Sequence, residues 1–114
     1  MSFAFLLFLF NRFYFKTVKR FKVKNVIEVS NFRIRELAAL TKQCDLFIGP
    51  DSGPLHIAGS LGIKGIGLFG SIPPLARINH YPTFEAMIQN NLACIMCGYK
   101  PCPFNIRCMK DLSA

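Results

Sequence analysis

The feature that most constrains this 114-residue chain is the stretch from Asp45 to Phe69, where two short apolar runs flank a loop rich in Gly and Pro. Asp45 to Gly49, DLFIG, reads as a buried strand that runs straight into Pro50-Asp51-Ser52-Gly53. A short helix should follow, with Pro54 near its first turn and Gly62 just past its end, where those residues are best tolerated. Gly65 to Phe69 reads as a second apolar strand, closed by Gly70 and the turn Ser71-Ile72-Pro73-Pro74.

The residues before this unit extend the pattern. Asn25 to Val29 reads as a short strand rich in β-branched residues, and Ser30-Asn31 offers a helix cap. From Phe32 to Gln43 the residues Ile34, Leu37, Ala38 and Thr41 fall on one helix face, widened by Leu40 and Cys44. Arg33, Arg35 and Glu36 fall on the other. Strand, helix, strand, loop, helix, strand is the order of an α/β parallel sheet with crossover helices. The strands are too few for a complete doubly wound domain.

Composition divides the chain near residue 22, since seven of the 12 Phe residues lie at or before Phe21. Residues 1–24 form an apolar and basic segment with no assigned structure, and residues 25–114 a partial domain. The opening MSFAFLLFLF is too short to span a bilayer core, which needs roughly 20 apolar residues in a helix. Its bases follow the apolar run, whereas a secretory signal carries them before it. This favours a cytoplasmic chain, peripheral at the inner membrane surface. Arg12, Lys16, Lys19, Arg20, Lys22 and Lys24 supply much of the formal charge of +8. Such a run suits a polyanion: nucleic acid, anionic lipid or a phosphorylated glycolipid. A solvated basic face is the plainer alternative.

The loop GPDSGPLH, Gly49 to His56, sits where ligands bind open parallel sheets, beyond a strand's carboxyl end and at a helix amino terminus. The N–H groups following Ser52 and Gly53 would cradle a phosphate, and Gly53 would let the anion approach the backbone. Asp51 repels phosphate, so its carboxylate suits the paired hydroxyls of a sugar or ribose. His56 could donate one hydrogen bond to a phosphate or sugar hydroxyl. The alternatives are a Ser52 that only caps the helix and a His56 that is an ordinary half-buried helix residue.

The stretch CDLFIGPDSGPLHIAGSLGIKGIGLFGSIPP, Cys44 to Pro74, resembles glycosyltransferase family 9, the ADP-heptose:lipopolysaccharide heptosyltransferases. That family carries an Asp-Ser/Thr-Gly-x-x-His loop after a strand, then a small-residue helix and a strand ending in Phe-Gly. The matching positions are Asp51, Ser52, Gly53 and His56, with Phe69-Gly70 beyond them, and the likeness extends over roughly residues 25 to 114. The resemblance implies a GT-B arrangement of two facing Rossmann-like halves, of which this chain supplies part of the carboxyl-terminal, donor-binding half. By position, Ser52 and Gly53 would bind the diphosphate of an ADP-heptose-like donor, Asp51 the transferred sugar, and His56 the phosphate side. The acceptor would be a lipopolysaccharide core, and its domain, with the carboxylate expected to act as base, is not in this chain. Donor binding without transfer is the expectation for the chain alone, and such transfer requires no cofactor.

Of five cysteines, Cys94, Cys97, Cys102 and Cys108 give C-x2-C-x4-C-x5-C, compact enough to hold a structural zinc ion tetrahedrally. Reduced structural thiols are the alternative. A basic zinc module contacting nucleic acid through residues 12 to 24 is the second functional reading, but it leaves GPDSGPLH unexplained. A decayed reading frame without function is the third.

Overall fold

The computed structural model describes residues 5–7, 31–98 and 101–110. Among the described residues four parallel strands form one sheet: β1 (Phe5–Leu7), β2 (Leu46–Pro50), β3 (Lys64–Phe69) and β4 (Phe84–Ile88), neighbours in that order. The helices among the described residues are α1 (Ile34–Lys42), α2 (Gly53–Ser60), α3 (Leu75–Ile78) and α4 (Arg107–Lys110). The α/β parallel sheet expected from the sequence is present. Chain order equals spatial order, so each connection steps to the next strand in the same direction.

Alternation along β2 and β3 decides which face is covered. Phe47, Gly49, Gly65, Gly67 and Phe69 are buried, while Leu46, Ile48, Ile66 and Leu68 on the opposite face are half-buried. Phe47, Leu55, Ala58, Phe69, Ile78 and Phe84 form the core, with Leu37 and Leu40 of α1 packed against it. Glycine in β3 lets aromatic rings enter this thin layer. A Cβ on Gly65 would collide with the Phe84 ring, so the ring occupies the volume a side chain would need.

Several sequence expectations are corrected. Helix α1 begins at Ile34 with Arg33 as its cap, and the Arg33 N–H donates to Glu36 Oε2 at 2.9 Å. Asn31 instead takes a left-handed φ of 62° before the helix. Ile34, placed on the apolar face by periodicity, is 72% exposed, because it occupies the first turn beyond the edge of the core. The strand expected at Asn25 to Val29 lies outside the described residues, as do Ser30 and the basic residues from Arg12 to Lys24. The strand beside β2 is Phe5–Leu7, drawn from the segment left unassigned. Strand β4 carries Glu85 within it and was not anticipated.

Candidate functional site

The register Pro50↔Leu68 delivers Asp51 to the carboxyl end of the sheet, beside the end of β3. Ser52 is extended (φ −159°) and caps α2 through its carbonyl, which accepts from the Leu55 N–H at 3.1 Å and the His56 N–H at 3.4 Å. Its hydroxyl makes no cap; it donates back to the Pro50 carbonyl at 3.1 Å. The N–H groups of Ser52 and Gly53 have no acceptor among the described residues, and Pro54 has no N–H to offer. Two backbone donors are therefore left at a helix amino terminus, where the dipole favours negative charge. A Cβ on Gly53 would meet nothing within 4 Å, so open space lies directly above the loop backbone.

Asp51 and His56 are brought together with two residues that the loop motif does not contain. Arg77 Nε pairs with Asp51 Oδ2 at 3.2 Å, and His56 Nε2 lies 3.7 Å from Asp51 Oδ1. His56 Nδ1 meets the Tyr81 hydroxyl at 3.1 Å. The one-turn helix α3 makes this possible. Pro74 starts the turn, its carbonyl accepts from the Arg77 and Ile78 N–H groups at 2.9 Å each, and Ile78 is buried in the core. Tyr81 follows with its N–H on the Ile78 carbonyl at 3.0 Å, and its ring lies flat against Gly59. Local sequence gave no sign of either residue beyond their place after the Pro-Pro turn, because both reach the loop across a tertiary contact.

The cysteine-rich segment returns to the same end of the sheet. A cavity of about 320 Å³ is lined by Pro50 and Asp51, by the end of β3 through Ile72, and by Cys97, Cys102, Ile106, Cys108 and Met109. The Met96 N–H donates to the Gly70 carbonyl and the Gly98 N–H to the Ser71 carbonyl, both at 2.9 Å. A Cβ on Gly70 would approach Cys108 Sγ to 2.7 Å, so glycine is what lets the segment lie this close. Burial pushes the Cys108 thiol up, and charge on Cys102, Cys94 and Cys97 would push it further. Burial, then Asp45, does the same to Cys44. All five cysteines are free thiols. Among the described residues no three of His, Cys, Asp and Glu stand ready to hold a metal ion, so no step is assigned to zinc.

With Asp51, Ser52, Gly53 and His56 placed at one strand end, comparison with known proteins becomes informative. The family model of glycosyltransferase family 9 (heptosyltransferase) matches residues 16–106. The chain belongs to glycosyltransferase family 9. Among family 9 relatives, lipooligosaccharide heptosyltransferase 2 of Campylobacter jejuni subsp. jejuni serotype O:6 is 36% identical over 92 residues, 80% of this chain and 28% of that protein. Lipopolysaccharide core heptosyltransferase OpsX of Haemophilus influenzae is 37% identical over 60 residues, 51% of this chain and 17% of its own length. Lipopolysaccharide heptosyltransferase 1 of Campylobacter coli is 41% identical over 49 residues, 43% of this chain and 14% of that protein. The chain thus spans 28% of the length of its Campylobacter jejuni relatives. No solved structure gives a significant match. The family match begins at residue 16, so it includes part of the basic segment. Among the described residues no helix is long and apolar enough to cross a membrane.

Proposed function

We propose that this chain holds the nucleotide-diphosphate sugar donor of a heptosyltransferase of the GT-B type, which passes a heptose or related sugar to a lipopolysaccharide core. The observation that carries the reading is the convergence at one strand end of Asp51, which lines the cavity, the Ser52 and Gly53 N–H groups, which have no acceptor among the described residues, and His56. The free N–H groups suit the diphosphate, since charge-assisted bonds from a backbone amide are roughly twice as strong as neutral ones. Asp51 accepts hydroxyl hydrogen bonds from the sugar. As the glycosidic bond breaks, negative charge grows on the leaving diphosphate, and fixed donors at the helix terminus stabilise that charge more than the ground state. Ser52 acts through its N–H, because its hydroxyl is engaged by the Pro50 carbonyl.

On this reading the chain alone binds donor without transferring it. The test compares ADP with ADP-heptose by titration calorimetry on the purified chain. Binding of both is expected, with ADP-heptose favoured. Asp51→Ala should lower ADP-heptose affinity about tenfold, the loss of roughly one charge-assisted hydrogen bond, and reduce the preference for ADP-heptose over ADP. Heptose transfer by the chain alone, or no binding of either ligand, would overturn the proposal.

A further inference from the structure

We infer that Arg77 is a diphosphate-binding residue of this site, held in place by Asp51 and presenting its remaining guanidinium N–H groups to the phosphates. The inference rests on the donor-site reading and names the cation that reading lacks. Residues 49–63, the loop and all of α2, contain no Lys or Arg. Lys64 starts β3 and so lies at the opposite end of the sheet, since Leu46 pairs with Lys64 while Pro50 pairs with Leu68. From the loop and α2 themselves, a nucleotide diphosphate approaching Ser52 and Gly53 would therefore meet the Asp51 carboxylate with only the partial charge of the helix terminus to offset it.

Arg77 removes that difficulty through its geometry. It engages Asp51 Oδ2 through Nε at 3.2 Å, which leaves both terminal nitrogens without a partner among the described residues. A guanidinium has five N–H donors in a rigid fork, so fixing Nε orients the other four. The side chain is 44% exposed, accessible to a ligand entering from solvent. Its backbone is fixed by the Pro74 carbonyl and by burial of Ile78, so the guanidinium is presented by a constrained turn. Asp51 then has two tasks, accepting sugar hydroxyls and orienting Arg77. The pair brings one positive and one negative charge to the loop, placing the cation for phosphate and the carboxylate for sugar.

The test is ADP binding to the whole chain, measured at several salt concentrations, for the wild type, Arg77→Gln and Arg77→Lys. Arg77→Gln should lower ADP affinity tenfold or more and make it less sensitive to salt, because one screened charge–charge attraction is lost. Arg77→Lys should keep the salt slope and recover part of the affinity. Melting temperatures should be unchanged, because an exposed ion pair contributes little to stability. ADP affinity of Arg77→Gln within about twofold of wild type, or an unchanged salt slope despite weaker binding, would refute the inference while leaving donor binding intact. A wild-type chain that fails to bind ADP would sink both.

Discussion

Replacing Gly59 with alanine sets two effects of known sign against each other. Gly59 lies inside α2, where alanine is favoured over glycine by about 1 kcal/mol. The new methyl, however, would stand 2.6 Å from Tyr81 Cγ and Cδ2 and 2.8 Å from Cδ1. The ring has little freedom to retreat. It packs with centroids 4.1 Å from His80, 5.7 Å from His56 and 5.9 Å from Phe84, and its hydroxyl is tied to His56. Overpacking of this kind costs about 1–3 kcal/mol. The clash outweighs the propensity gain, so Gly59→Ala should destabilise the chain by up to about 2 kcal/mol, lowering Tm by ~4 °C per kcal/mol. Thermal melts followed by circular dichroism on Gly59→Ala, Tyr81→Ala and the double variant measure both terms. In the Tyr81→Ala background the methyl has room, and Gly59→Ala should stabilise by about 1 kcal/mol. A higher Tm for Gly59→Ala in the wild-type background would show that Tyr81 does not rest on Gly59, and the placement of Tyr81 on His56 would fall with it.

Other perturbations read other parts of the structure. Phe47→Ala removes a ring with 0% exposure from the core and should cost about 3–5 kcal/mol in urea denaturation. Ser52→Ala should cost well under 1 kcal/mol, since the hydroxyl bonds to the Pro50 carbonyl and makes no cap; a loss near 2 kcal/mol would mark it as a true cap. Cys44 and Cys108, with thiols raised from 9.0 by burial, should reach half-maximal alkylation by iodoacetamide only above pH 9.0. Because folding raises these two values, the stability they contribute is complete below pH 9.0 and is lost as pH rises through the folded-state values, visible as alkaline destabilisation in melts.

Legibility in the sequence followed how local the determinants are. The unit from β2 to β3 was readable because each boundary has its own residue: Pro54 in the first turn of α2, Gly62 at φ 71° after it, and Gly70 closing β3. Gly53, Asp51 and His56 were legible as a loop for the same reason. Strand β4 was not, because Glu85 and the exposed Ala86 break the apolar run, and its place is set by pairing with β3. Ile34 follows the helical period yet lies past the reach of the core, which periodicity alone does not reveal. Arg77 and Tyr81 approach the loop from about 25 residues away, so only the packed structure couples them to Asp51 and His56. The cysteine segment was legible as a cluster, but its position against Gly70 was not, because that depends on a glycine in another element.

The central claim, that the backbone of the Asp51–Gly53 loop receives the diphosphate, is tested most directly by ADP titration of wild type and Gly53→Val. A Cβ added at Gly53 meets nothing within 4 Å apart from its chain neighbours and its own helix, so the Val side chain enters the space where phosphate would lie. The account predicts that wild type binds ADP and that Gly53→Val, shown to be folded by circular dichroism, loses binding. Equal ADP affinity in the two proteins would contradict it.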